Sequence, residues 1–268
     1  MESRTTPGER RGSEEPGTDT VLGKITAILF AFTSEDHSVG FAELGRRTGL
    51  AKGTLHRVVG DLTAAGLLER AGAGYRLSGK VFELGMRASV ERSLLELATP
   101  FLEDLYERTH ETVHLGVLDG TEVVYVAKIV GHRQATTPSR LGGRMPLYCT
   151  AIGKALLAFS PPELFGRVAE AGLARRTPRT ITAPGLLRRQ LERIAETGVA
   201  FEHEESAPGL VCVAAPILDP ADRPIAAVSV TGPVTRFRPD AHAVQVKAAA
   251  AGIASTLARR ASLLRSPS

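Results

Sequence analysis

Cysteine is nearly absent from this chain: of 268 residues only Cys149 and Cys212 are thiols. Two thiols cannot make a disulfide framework, so buried free cysteines in a reducing cytoplasm are expected. Long apolar runs are missing as well. None approaches the roughly 20 residues needed to cross a bilayer, so no membrane partner is expected. Met1 to Thr20 is polar and rich in Gly, Pro, Arg and Glu; it lacks the apolar core of an export signal and reads as a disordered arm. No P-loop, dinucleotide-binding glycine pattern, HExxH or CxxC occurs, and His114, four residues after His110, falls inside a predicted strand, so neither cofactor nor metal is expected. Cys149 or Cys212 with His203, His110 or His114 leaves a nucleophile-and-base enzyme as the minor alternative, although nothing in the sequence sets that geometry.

The 43% hydrophobic and 23% charged residues are ordinary for a soluble globular protein, and the length suits a small domain joined to a larger one. The net charge of +4 is weak evidence for nucleic acid taken alone. Its placement says more. Between Phe41 and Lys80 seven basic residues, Arg46, Arg47, Lys52, Arg57, Arg70, Arg76 and Lys80, face only Glu43, Asp61 and Glu69, an excess equal to that of the whole chain.

From Val21 the apolar residues Leu22, Ile25, Ile28, Leu29 and Phe32 recur at helical spacing, with Thr18 and Asp19 as candidate caps. A second short helix follows in Phe41 to Thr48, ended by Gly49, and a third in Ala51 to Leu62. Leu55, Val58, Val59 and Leu62 form the apolar stripe of the third, while Lys52, Thr54, His56 and Arg57 lie off it. Two helices joined by a tight turn, the second with a polar and basic first half, are the geometry of helix-turn-helix recognition in a DNA major groove. Leu67 to Arg70, a turn at Ala71 to Gly74 and Tyr75 to Leu77 read as a hairpin, a wing that brings Arg70 and Arg76 to phosphate. An ordinary three-helix bundle with a solvated basic face is the competing reading, and the order and minimal spacing of the parts weigh against it.

The run FAELGRRTGLAKGTLHRVVGDLTAAGLLERAGAGYRLS closely resembles the DNA-binding domain of IclR-type regulators. The stretches ETVHLGVLDGTEVVYVAKI, GGRMPLYCTAIGKALLAF, RTPRTIT, GVAFEHEESAPGLVCVAAPILD and AAVSVTGP resemble, in order, the blocks of that family's effector domain. One departure is Gly53, where a serine is common in the family, so a hydroxyl is missing from the start of the recognition helix. The resemblance implies a regulator of transcription, with repression the commoner mode. It also implies a homodimer or homotetramer on a double-stranded operator, paired through the first helix and a linker helix. From the residues alone, the apolar side chains of those helices fit packing inside one subunit equally well.

The expected organisation is an arm at 1–20, a winged helix-turn-helix at 21–77, a linker helix at 78–93, an effector-binding domain at 94–262 and a tail at 263–268. Ser78 caps the linker, and a helix from Leu94 to His110 leads into strands at Glu111 to Leu118 and Thr121 to Ile129 about the Asp119-Gly120 turn. Helices follow at Ala151 to Phe159 and Pro184 to Thr197, strands at Val199 to Glu204, Val211 to Leu218 and Ile225 to Thr231, and a last helix from Pro239 to about Arg260. This is an α+β domain around an antiparallel sheet, and the resemblance implies a GAF-like sheet with a ligand pocket on one face. The helix start near Ala151 suits a carboxylate. By the matching motifs the effector site comprises Ala151, Ile152, Glu202, Cys212, Ser229 and Thr231, with Leu147, Phe201 and Val213 as candidates for an apolar wall. Glu202 stands where the family often has Asp, and Thr231 where it often has Ser. Each also has a plain reading: Cys212 as core, Ser229 and Thr231 as partners of nearby backbone, Glu202 as a solvated acid. A small organic or aromatic acid is the implied effector; a C-terminal domain that only oligomerises is the alternative.

Overall fold

A computed structural model describes residues 19–33, 36–85, 87, 89–130 and 137–263. Thr18, most of the predicted arm and all but the first residue of the predicted tail lie outside the described residues. The chain divides into two compact units, the second of which begins at Ser89.

In the first unit, α1 (Val21–Phe30) is capped by Thr20, not by Asp19: the Thr20 side chain accepts a hydrogen bond from the Gly23 amide at 2.9 Å. α2 (Phe41–Thr48) ends at Gly49 in the left-handed conformation, φ 68°, and α3 (Lys52–Ala64) begins three residues later. The predicted stripe Leu55, Val58, Val59 and Leu62 is buried against Ile28, Leu44 and Leu68. The hairpin is β2 (Leu68–Ala71) and β3 (Gly74–Leu77), tighter than expected, with only Gly72 and Ala73 between the strands. An unforeseen strand, β1 (Val39–Gly40), pairs antiparallel with β3 and completes a three-stranded sheet of order β1-β3-β2. A Cβ at Gly74 would sit 2.7 Å from the Val39 carbonyl oxygen, so glycine admits β1. The linker is not one helix from Ser78 to Arg92. α4 (Gly79–Gly85) stops at glycine, a poor helix former. α5 (Ser89–Thr109) then absorbs the rest of the predicted linker and the helix expected from Leu94.

The second unit is a six-stranded antiparallel sheet of order β6-β5-β4-β9-β8-β7. Its strands are β4 (Thr112–Asp119), β5 (Glu122–Ile129), β6 (Arg144–Pro146), β7 (Ala200–His203), β8 (Leu210–Leu218) and β9 (Pro224–Pro233). α5 and α9 (Ala243–Leu263) bury one face through Leu94, Leu102, Leu105, Val246 and Ile253. α6 (Ala151–Ala158), α7 (Pro162–Glu170) and α8 (Pro184–Thr197) bury the other through Ile152, Leu156, Leu164, Leu187 and Leu191. Cover on both faces explains why Leu210 to Ala215 is continuously apolar and buried rather than alternating. Pro239 opens a 3-10 turn, Pro239–His242, ahead of α9 instead of opening the last helix itself. Neither α7 nor β6 was foreseen; Pro162 stands at the start of α7, where its fixed φ and missing amide hydrogen suit the first turn.

Candidate functional site

In the first unit, Lys52, Gly53, His56 and Arg57 are exposed on α3 and Thr54 is half-buried. Arg57 reaches Asp61 one turn on, at 3.2 Å, with both side chains more than half exposed, so solvent competes for that pair. His56 meets Phe41 edge to face at 6.0 Å. A Cβ added at Gly53 would meet nothing within 4 Å. In the wing, Arg70 lies over the Tyr75 ring at 5.1 Å and Arg76 pairs with Glu69 at 2.5 Å across the hairpin.

Arg46 and Arg47 are differently placed. Arg46 is an exposed partner of Glu43. Arg47, with 27% of its side chain exposed, donates to Asp36 at 2.6 Å, to Glu43 at 2.7 Å and to the Ala31 carbonyl at 2.9 Å. Its hydrogen bonds hold the Asp36 carboxyl well below the usual range, and Arg46 with Arg47 holds Glu43 at about 2. Arg47 therefore fastens α2 to the end of α1, and nearly all its donors are used.

In the second unit, strand register builds the site. Glu202, Cys212, Thr231 and Thr112 stand in one row across β7, β8, β9 and β4; Ala214, Ser229 and His114 stand in the next. Residues directly opposite share a face, and alternate residues of a strand return to it. These side chains therefore point toward α6, whose first turn carries Ala151 and Ile152. The six residues Ala151, Ile152, Glu202, Cys212, Ser229 and Thr231 all line one cavity. About 20 Å³ of it is open to the centre of a water molecule, room for about one water.

Glu202 is fully buried, and its Oε1 accepts from the Glu205 amide at 2.6 Å and the Ser206 amide at 2.9 Å. It is an internal cap for the loop after β7, not a solvated acid. The Thr231 hydroxyl donates to Cys212 Sγ at 3.1 Å. At the head of α6, the Thr150 hydroxyl accepts from the Gly153 amide at 3.1 Å. The amides of Ala151 and Ile152 precede the first intrahelical hydrogen bonds and supply the positive end of the helix dipole. Gly153 permits this approach, since a Cβ there would collide with the Leu147 carbonyl oxygen. One turn on, the fully buried Lys154 pairs with Glu205 at 2.6 Å and with Gln190 at 3.0 Å, tying α6 and α8 to the same loop.

The apolar wall needs correction. Phe201 and Val213, one residue out of phase with Glu202 and Cys212, pack toward α5 and α9 on the opposite face, and Leu147 is buried core that does not line the cavity. The wall is instead Tyr125, Met145 and Leu210. His114 and Ser139 also line the site, joined at 2.7 Å between Nε2 and Oγ. Only the pairing of β4 with β9, more than a hundred residues later, reveals that His114 faces Ser229. Burial pushes the Cys149 thiol up to about 12 and raises that of Cys212 as well, the reverse of an activated nucleophile.

Comparison with known proteins covers both units. A family model described as "Bacterial transcriptional regulator IclR C-terminal" matches residues 86–258, and one described as "IclR helix-turn-helix domain" matches residues 21–72. The chain is 35% identical over 227 residues to the HTH-type transcriptional regulator KdgR of Escherichia coli, covering 84% of this chain and 86% of that one. It is 32% identical over 247 residues to the transcriptional repressor IclR of the same species, with 87% and 89% covered. A crystal structure of an IclR homolog from Microbacterium hydrocarbonoxydans complexed with 4-hydroxybenzoate superposes with a TM-score of 0.82 at 29% identity, over 90% of this chain and 100% of that one.

Proposed function

Since the chain belongs to the IclR family of bacterial DNA-binding transcriptional regulators, we propose that it is a cytoplasmic repressor whose hold on its operator is controlled by a small organic or aromatic acid. The observation that carries this reading is the convergence of side chains from α6, β7, β8 and β9 on one cavity. The ligand of the Microbacterium structure belongs to the same chemical class.

On the DNA side, Lys52, Thr54, His56 and Arg57 of α3 read or position the major groove, and Arg70 and Arg76 of the wing hold phosphate. Arg46 supplies positive charge beside them. Arg47 serves the domain's own structure, as its bonds to Asp36 and Glu43 argue. α1 exposes Val21, Leu22 and Phe30, the last 76% exposed, and α4 exposes Phe82, 71%, and Leu84. Apolar side chains so exposed on two helices support pairing of subunits into a homodimer, or a homotetramer built from such dimers, on a palindromic operator. Among the described residues no helix is long and apolar enough to cross a membrane.

In the second unit, the ligand's carboxylate takes the α6 amides of Ala151 and Ile152, while Glu202, Cys212, Ser229 and Thr231 meet its polar body. Opening for about one water means that the cavity widens around the acid it takes. A thermal-shift screen of organic and aromatic acids on the full chain tests the reading. A compound at a hundred times its dissociation constant should add about 2.7 kcal/mol of stability. If no acid shifts the melting temperature, the effector reading gives way to a domain that only oligomerises.

A further inference from the structure

Beside the cavity lies a buried group of charges that does not balance. Among the described residues the buried carboxyl side chains are those of Glu111, Glu202 and Glu205, and the one buried ammonium is that of Lys154. Glu111 has its own partner in Arg236, which donates to both oxygens at 3.0 Å. Lys154 donates to Glu205 Oε1 at 2.6 Å. Glu202, which lines the cavity, accepts from the Glu205 and Ser206 amides and has the Cys212 thiol as a further partner. Two acids thus stand over one buried cation.

The surroundings of Glu205 offer little more positive charge. Lys154 comes from α6, Glu202 and the His203 amide from β7, and the neutral Cys149 thiol from the segment before α6. Gln190 of α8 meets Lys154, and Cys212 of β8 meets Glu202. The Thr180 hydroxyl is spent on the Glu205 carbonyl oxygen at 2.7 Å. Arg176 is exposed and turns its Nε to the Ser206 carbonyl oxygen at 3.4 Å. Burial and the Glu202 charge push the Glu205 carboxyl up, and Lys154 and the His203 amide offset them only in part.

We propose, on the basis of the effector reading above, that the Glu205 carboxyl takes a proton from solvent when an acid anion enters the cavity, so that the entering charge is offset inside this cluster. The anion adds a further negative charge beside Glu202, where charges act on one another more strongly than in water. Glu205 gives up its own charge without leaving its place, because a neutral carboxyl still accepts from Lys154 Nζ. The sign follows from linkage: an anion that raises the hold on a proton is itself held more weakly as the proton becomes scarce. Affinity therefore falls as pH rises, by up to about tenfold per pH unit for one proton.

The test is titration calorimetry of 4-hydroxybenzoate into the full chain from about pH 6 to about pH 8, where the acid's own carboxyl stays ionised, in paired buffers of different ionisation heat. The parent should take up close to one proton per site over part of this range. Glu205→Gln keeps an oxygen for Lys154 and carries no charge. It should bind without uptake, more tightly than the parent at the alkaline end and about equally at the acid end, a gain that a purely structural role would not give. Binding by the parent with no uptake overturns the proposal, as does full uptake by the folded variant, and the effector reading then stands. If the variant does not fold, the infrared difference spectrum of the parent decides, with the acid isotopically labelled at its carboxyl. A new protonated-carboxyl band at the unlabelled position supports the proposal, and its absence overturns it. If this acid does not bind, the tightest acid of the screen is titrated in its place; if none binds, both readings fail.

Discussion

Lys154 is the most consequential single side chain away from the cavity. It is a fully buried ammonium whose partners, Glu205 and Gln190, lie on two other segments. Removing one member of a buried ion pair leaves an uncompensated charge, so Lys154→Met should cost about 3–5 kcal/mol of stability. Burial already pushes the Glu205 carboxyl up despite Lys154. Without the lysine Glu205 can escape its unpaired charge by taking a proton, so the variant's deficit should shrink as pH falls from about 8 to about 5. Denaturant unfolding at a series of pH values measures this; a deficit that does not change with pH would show that the pair is solvated after all. Gly53 makes the opposite kind of site. A side chain there meets open space, and glycine inside a helix costs roughly 0.5–1 kcal/mol relative to alanine. Gly53→Ser should raise the melting temperature slightly and tighten operator binding, both checked on the purified variant.

At the scale of elements, α2 depends on charge and α3 on apolar burial. The Arg47 bonds to Asp36 and Glu43 hold both carboxyls below their ordinary values. A depressed carboxyl contributes stability that is complete above its unfolded value, near 3.8 for Asp36 and 4.5 for Glu43, and is lost as pH falls toward the folded value. Arg47→Met should therefore lower the melting temperature of the DNA-binding unit at neutral pH, and the gap from the parent should narrow as pH falls below about 4.5 and close only near pH 2. The stripe of α3 was readable because its period of 3.6 needs no partner to be seen, and α2 was readable through its glycine stop. β1 was not: two residues carry no period, and only the approach of Val39 to Gly74 makes them a strand. The function of α3 has its own test. Arg57→Ala should weaken specific operator binding by roughly one to three kcal/mol if the guanidinium reads a base edge, while acid binding is unchanged; operator affinity equal to the parent's in fluorescence anisotropy would remove α3 from the groove.

For the whole molecule, the two halves differ in how far the sequence exposed them. The winged unit followed from residue pattern and local charge. The six cavity residues came from likeness to a family rather than from any local signal, and the structure brings all six to one cavity. What stayed hidden was set by long-range pairing. His114 joins the site because β4 lies beside β9, and Phe201 and Val213 leave it because a strand reverses faces at every residue. For an acid to release the operator, it must bind the arrangement that lets go of DNA more tightly than the one that holds it. The most direct measurement is operator release, followed by anisotropy as the tightest-binding acid from the screen is titrated into the parent and into Ser229→Val with Thr231→Val. The parent should release its operator as the cavity fills, and the double variant should hold its operator at concentrations that empty the parent. Equal release by both would contradict the claim that this cavity controls DNA binding.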